Sequence, residues 1–308
     1  MTHQIYVFKK NNLPEIEKLI TFVSKNFFEH QHVPAVLKRF FTNFVSSTEM
    51  IMEVLDPVTQ ELQAVAVLLD KVQNSQNTAS LEILAISKYL KKEATQELID
   101  LIIKETKIIL PEHREGFEIS FTDNHKPEEN ILKKHNLNFN YDVYKMAHTL
   151  LPNFIQDFID EKIPENFVIM EANNNRLSEV YELLCQSFRN NKEVSIPEKQ
   201  LWINNRQNET NEIIYVVLSG SKKVAFSHLI FQENNEFAEI NSLGVLPEFR
   251  GYNLGKKLIL YSLEKIAERN INECRLTVAL ENEKALALYS KCGFKIKQKS
   301  SVFQYKKK

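Results

Sequence analysis

The chain has 308 residues, of which 43% are apolar and 26% charged, with a formal net charge of -1. That length suits about two domains with packed cores, and the apolar fraction argues against disorder. The near balance of charge excludes a global basic field, so nucleic-acid binding through bulk electrostatics is not expected. The start, Met1-Thr2-His3-Gln4, has no basic segment followed by an apolar core. Nor is there an uninterrupted apolar run of about 18–20 residues that would span a bilayer. Cys185, Cys274 and Cys292 lack CxxC spacing and read as free thiols in a reducing compartment. His30 and His32 form the one close histidine pair, without partner ligands nearby, so a surface loop is expected there and no metal site. These features point to a cytoplasmic protein with no membrane partner.

In chain order, Gln4–Lys9 reads as a strand, and Leu13–Phe27 and Pro34–Phe44 as helices. Met50–Leu55, Gln63–Asp70 and Ser80–Ile86 carry strand patterns, and Glu93–Ile109 is a long helix. Phe117–Phe121 is strand-like, Pro127–His135 helical, and Asn138–Leu150 is expected to supply the closing strands of this half. The acidic segment Pro152–Asn166, with Asp157, Asp160 and Glu161, connects the two halves and contains a short helical stretch, Phe154–Lys162. A second series repeats the order. It runs through strand Phe167–Glu171, helices Arg176–Phe188 and Pro197–Asn208, and strands Glu212–Leu218, Lys222–Gln232 and Glu236–Leu246. Helix Asn253–Arg269, strand Cys274–Leu280, helix Lys284–Lys291 and two terminal strands through Tyr305 complete it. Apolar residues at three- and four-residue spacing, such as Leu254, Leu258, Ile259, Leu263 and Ile266, carry the helix assignments. A repeat at this scale predicts tandem domains, 1–151 and 167–308, joined by a linker at 152–166.

Two blocks in the second half carry chemistry. Arg250-Gly251-Tyr252-Asn253-Leu254-Gly255 follows the apolar run Ile240–Leu246 and opens a long amphipathic helix. A strand that delivers the chain through a tight turn into a helix start gathers unpaired amides and the positive end of the helix dipole, which attract an anion. Gly251 and Gly255 let backbone approach a diphosphate, and the Arg250 guanidinium adds charge-assisted hydrogen bonds. The second block, Asn282 to Phe294, combines a good N-cap residue, an Ala/Leu-rich helix and Gly293 at a helix-ending position. Only six glycines occur in the chain, and Gly251, Gly255 and Gly293 fall in these blocks.

Taken together, Val245-Leu246-Pro247-Glu248-Phe249-Arg250-Gly251 with Gly255, and Asn282…Ala285…Leu288-Tyr289…Lys291…Gly293-Phe294, resemble the GNAT acetyltransferase superfamily over Ile240–Phe294. The resemblance implies an α/β (α+β) fold of two tandem GNAT-like domains, each a central mixed twisted sheet flanked by helices. It implies acetyl-CoA as co-substrate, bound where two central parallel strands splay apart, and an amine-bearing acceptor. Leu243, Gly244 and Val245 would pair with the pantetheine arm as an added strand does. The amides of Arg250, Gly251, Tyr252, Asn253, Leu254, Gly255 and Lys256 would hold the pyrophosphate. Asn282 and Ala285 would line the far side of the pantetheine, and Tyr289 would act as general acid toward the leaving thiolate. The reaction would be direct attack of a neutral amine on the thioester, driven by positioning and by hydrogen bonds to the developing oxyanion. Asn253 stands where the family usually has a third glycine; asparagine tolerates positive φ, so the turn is expected to survive. Glu239 and Glu281 are the candidate general bases, provided burial raises a carboxyl pKa toward neutrality.

The first half departs from this pattern where chemistry would occur. Lys91 and Lys92 fall opposite Arg250 and Gly251, and Gln96 opposite Gly255. Leu132 replaces Tyr289, and Asn136 replaces Gly293, keeping only the helix-ending geometry. A degenerate, non-catalytic domain is therefore expected, with Lys91 and Lys92 on a solvated face. The resemblance implies an acceptor site over the loop Arg189–Ile196, which carries Arg189, Lys192 and Glu193; Glu193 would suit a cationic amine and Arg189 a carboxylate. His228 reads as a satisfied sheet residue. Two alternatives to an enzyme are a non-catalytic acyl-CoA-binding regulatory module and a scaffold built on two such folds.

Overall fold

Apolar runs bounded by turn residues form the strands, and stretches with three- to four-residue apolar spacing form the helices. The computed structural model describes residues 3–9, 16–26, 50–69, 77–150, 166–173, 176–189, 196, 199–207, 211–232 and 236–307. The expected helix Pro34–Phe44, the His30/His32 loop and the connecting stretch Phe154–Lys162 with Asp157, Asp160 and Glu161 lie outside these residues. The chain divides into two units, Met1–Tyr141 with Ser300–Lys308, and Asp142–Lys299.

The first unit contains β1 (Gln4–Lys9), α1 (Ile16–Asn26), β2 (Met50–Leu55), β3 (Leu62–Leu69) and β4 (Thr78–Ile86). It continues with α2 (Lys92–Ile109), β5 (Gly116–Thr122), α3 (Glu129–Lys134) and the first residues of β6 (Asn138–Thr149). The strands lie in the order β1-β2-β3-β4-β5. Neighbours from β1 to β4 are antiparallel, and β4 runs parallel to β5. α2 buries Leu98, Ile99, Ile102 and Ile103 against Met52, Ala66 and Phe117 on one face. Leu19 and Val23 of α1 cover Ile51, Val65 and Val67 on the other. Helices on both faces of a largely apolar sheet are what such strands require.

The second unit repeats the plan with β7 (Phe167–Glu171), α4 (Leu177–Phe188), α5 (Lys199–Gln207), β8 (Glu212–Ser219), β9 (Lys222–Phe231) and β10 (Ala238–Val245). Then come α6 (Leu254–Ala267), β11 (Glu273–Ala279), α7 (Glu283–Lys291) and the start of β12 (Lys295–Lys306). Strands follow the order β11-β10-β9-β8-β7. α6 packs Leu254, Leu258, Ile259 and Leu263 on Ala225, Leu229, Ile240 and Leu276. On the opposite face α4 and α5 place Val180, Leu184 and Trp202 over Ile214, Val216 and Phe226.

The closing strands depart from expectation. Residues 143–149 of β6 pair antiparallel with β11 in the second unit, and residues 300–306 of β12 pair antiparallel with β5 in the first. Each is one 12-residue strand rather than a pair of strands. A division at 151 therefore does not coincide with the unit boundary, which falls after Tyr141 and again after Lys299. The reason is physical: an alternating strand shows which of its faces is apolar, but not which sheet edge will accept its hydrogen bonds.

Phe303, 3% exposed, is buried in the first unit's core although it lies five residues from the C-terminus. Phe303→Ala is expected to cost about 3–5 kcal/mol. Amide hydrogen exchange should show lost protection in Gly116–Thr122 with Glu273–Ala279 unchanged; the reverse pattern would contradict this strand assignment.

Candidate functional site

β10 and β11 are parallel neighbours for two positions only, Ala238 with Cys274 and Glu239 with Arg275. Beyond them the strands part, while β10 stays paired with β9 as far as Val245, interrupted by a bulge between Ile240 and Ser242. The edge of β10 that faces the fork thus carries backbone donors and acceptors that β11 does not take up.

The chain leaves β10 through a 3-10 turn, Pro247–Phe249, and enters α6. Gly251 has φ 92° and Asn253 has φ 63°, so asparagine holds the left-handed position expected of it. The first amide bonded back toward the helix start is that of Lys257, which donates to the Asn253 carbonyl at 3.1 Å. The amides just before it point out of the helix end, where the dipole is positive.

Arg250 does something other than expected. Its amide donates to the Pro247 carbonyl at 3.3 Å. Its guanidinium donates from Nε to the Val245 carbonyl at 3.2 Å and from Nη2 to the Ser187 carbonyl at 3.1 Å. The side chain ties the end of β10 to the end of α4, so it shapes the cradle rather than supplying its donors.

Fork and turn open on a groove of about 1170 Å³ within the second unit. It brings together Leu243, Gly244, Val245, Arg250, Gly251, Asn253, Leu254, Gly255 and Lys256 with Glu281, Asn282 and Ala285 across the gap. Asn282 caps α7, its Oδ1 accepting from the Ala285 amide at 3.2 Å. Tyr252, Glu239 and Tyr289 are not part of the groove wall. The Tyr252 ring turns back onto Phe167, with centroids 5.7 Å apart. Tyr289 is buried, its ring edge-on to Phe294, and burial pushes its phenol up to about 12. Glu239 is partly buried at the fork; burial raises its carboxyl above the usual range, against the pull of Lys145 and Arg275. Arg189 of the expected acceptor loop lines the groove, whereas Lys192 and Glu193 lie outside the described residues.

The end of α4, Gln186 to Phe188, forms a wall that the motif blocks do not contain. Gly244 was the available signal, because glycine inside a strand marks a close approach. A Cβ there would lie 2.4 Å from Phe226 Cε1 and 2.8 Å from Ser187 Cβ. His228 is fully buried with Nε2 2.9 Å from Glu212 Oε2, a satisfied sheet residue as expected.

In the first unit side chains bridge the equivalent region. β4 and β5 stay paired over four positions, Thr78 to Leu81 with Gly116 to Ile119. Gln96, in the place of Gly255, is buried, and its Oε1 accepts from the Glu128 amide at 2.8 Å. Lys92 reaches the Glu128 carboxylate at 3.6 Å. Side chains thus bridge the two elements that flank the groove in the second unit. Leu132, in the place of Tyr289, is a buried core residue, and Asn136 keeps the left-handed helix end with φ 51°.

A parallel fork that opens beside a phosphate-type turn is the arrangement that the sequence resemblance leads one to expect. Residues 177–294 match the acetyltransferase (GNAT) family. That match lies within the C-terminal half, and the fold of the whole chain resembles that of a tandem GNAT protein. A tandem GNAT protein from the clavulanic acid biosynthesis pathway superposes with TM-score 0.70 at 11% identity, over 99% of this chain and 98% of that one. The GCN5-related N-acetyltransferase of Sphaerobacter thermophilus gives TM-score 0.68 at 15% identity, over 98% and 95%. In sequence, the mycothiol acetyltransferase of Corynebacterium efficiens is 25% identical over 115 residues, 35% of this chain and 38% of that one. An uncharacterized N-acetyltransferase of Methanocaldococcus jannaschii is 36% identical over 66 residues, 21% and 29%. These sequence matches span well under half of either relative's length.

Gly244→Val should drive Phe226 and Ser187 apart, lowering stability by about 1–3 kcal/mol in urea unfolding. Gly251→Ala meets no neighbour within 4 Å and should cost only about 1 kcal/mol from its positive φ. Equal costs at the two sites would contradict this difference in packing.

Proposed function

We propose that the chain is an acetyl-CoA-dependent N-acetyltransferase acting on a primary amine by direct attack on the thioester. The observation that carries this reading is the β10–β11 fork, whose unpaired edge runs into the turn at Gly251 and Asn253. The backbone of Leu243 to Val245 would hydrogen-bond the pantetheine amides, and the amides of Gly251 to Lys256 would take the diphosphate. Bound there, acetyl-CoA supplies an activated acyl carbon. A C–N bond forms as the C–S bond breaks. Glu239 takes the proton that the neutral amine nitrogen loses as the C–N bond forms, directly or through water, and Tyr289 gives a proton to the departing thiolate. A phenol held near 12 is protonated at neutral pH and fit to donate. A carboxyl raised by burial is a stronger base than an exposed one. Metal chemistry has no part in this proposal, and the setting is expected to be cytoplasmic.

Ligand binding is tested first. Saturating CoA, at about 100 times its Kd, should stabilise the protein by about 2.7 kcal/mol in a thermal or urea melt. Replacing Gly255 by Trp should abolish that gain, because an added Cβ already meets Leu288 Cδ2 at 3.1 Å, while Gln96→Ala should leave it intact. Absence of any shift in the wild type would remove the proposal.

Catalysis is tested by thiol release over a panel of spermidine, glucosamine, tyramine and lysine. Tyr289→Phe should lower kcat by about 10²–10⁴-fold with CoA affinity kept; unchanged kcat would refute the acid role. Because the Glu239 pKa is raised, the active carboxylate form is lost as pH falls through a value above the ordinary carboxylate range. The kcat/KM profile should therefore show an acid limb there that Glu239→Gln removes.

A further inference from the structure

On the sheet face covered by α4 and α5, polar side chains from three adjacent strands form a line. His228 on β9 is 1% exposed, with Nε2 2.9 Å from Glu212 Oε2 on β8 and Nδ1 3.1 Å from Asn241 Nδ2 on β10. Arg206 of α5 approaches Glu212 Oε2 with Nε at 3.6 Å, and its guanidinium lies 4.2 Å from the centre of the Trp202 ring. Asn241 sits in the β10 bulge, exposed, two residues past the last contact between β10 and β11.

The hydrogen-bond roles follow from chemistry. A carboxylate only accepts, so Nε2 carries the ring proton. Burial holds His228 below its ordinary pKa, and the ring is neutral with Nδ1 as acceptor. The Asn241 amide nitrogen must then donate to Nδ1, which leaves Oδ1 as the outward-facing acceptor. Its side chain makes no other hydrogen bond among the described residues. Asn241 is not among the residues that line the groove, but it lies beyond Leu243 on the same strand, in the direction in which an arm running back from the turn at Gly251 along β10 would extend its thioester end.

We propose that Glu212 and His228 lock the Asn241 side chain so that its carbonyl accepts a hydrogen bond from the attacking amino group, which makes Asn241 an amine-binding residue and His228 and Glu212 its positioning residues. This rests on the acetyl-transfer reading. It deepens that reading by assigning amine recognition to the bulge of β10 instead of the loop after α4. The N–H held by Oδ1 would aim the nitrogen lone pair at the acyl carbon and leave a second proton for Glu239.

A test that needs no knowledge of the natural acceptor uses two analogues, S-(2-aminoethyl)-CoA and S-ethyl-CoA, titrated calorimetrically. The wild type should favour the amino analogue by about tenfold, the scale of one hydrogen bond to a charged group. Asn241→Ala should bring the two affinities together while leaving that for S-ethyl-CoA unchanged. Glu212→Gln keeps Asn241 but frees the ring tautomer, and should reduce the preference at least about threefold. A wild type without preference, or an Asn241→Ala protein that retains it, overturns the amine role. Full preference in Glu212→Gln overturns the relay. Binding of neither analogue would instead bring down the acyl-CoA reading, and this inference with it.

Discussion

Backbone amides and carbonyls need partners, and in the middle of the second unit's sheet β11 leaves most of β10 without its parallel neighbour. After Glu239 and Arg275 the strands β10 and β11 separate, yet both remain tied on their outer sides, β10 to β9 and β11 to residues 143–149. The opening cannot relax by sliding one strand back, since each is fixed in register by its other neighbour. A ligand with amides spaced along an extended arm repairs the gap as a strand would. Everything else at the site elaborates that opening. The turn at Gly251 places amides at its mouth, and Asn282 and Ala285 form the facing wall.

The two halves show how little separates an open fork from a closed one. In the first unit the parallel pairing is two positions longer, and Gln96 crosses to cap the Glu128 amide. In the second, the comparable duty at the start of α7 falls to Asn282, which bonds within its own helix turn. Capping from within leaves the gap clear; capping from the opposite helix fills it. Glycine at 255 suits the first arrangement, because a long side chain there would meet Leu288. The first unit thus gains a part-buried hydrogen bond across the place that is left open in the second.

Much of this was legible in the residues. The blocks Arg250–Gly255 and Asn282–Phe294 located the turn and the facing helix, because backbone demands such as positive φ and helix capping leave local marks. The positive φ of Asn253 followed from its chemistry alone. Partner choice was not legible. Nothing in the alternation of Asn138–Leu150 says that its edge partner is β11, nor that residues 300–306 belong beside β5. The fate of Arg250 was hidden for a similar reason. A guanidinium beside a phosphate-type turn satisfies an anion or two carbonyls equally well, and only the position of the α4 end, with the Ser187 carbonyl in reach, decides between them.

The acid and base candidates show why burial matters more than proximity to the groove. Tyr289 and Glu239 are both withdrawn from its wall, and burial disfavours the charged form of each. For a phenol that keeps the proton in place, as the proposed acid role needs. For a carboxylate it strengthens affinity for a proton, as the proposed base role needs, and Lys145 and Arg275 oppose that rise. The same low-polarity surroundings act oppositely on His228, holding it neutral and fixing its tautomer through Glu212. Desolvation thus disfavours the charged form of all three groups, the phenol, the carboxyl and the imidazole.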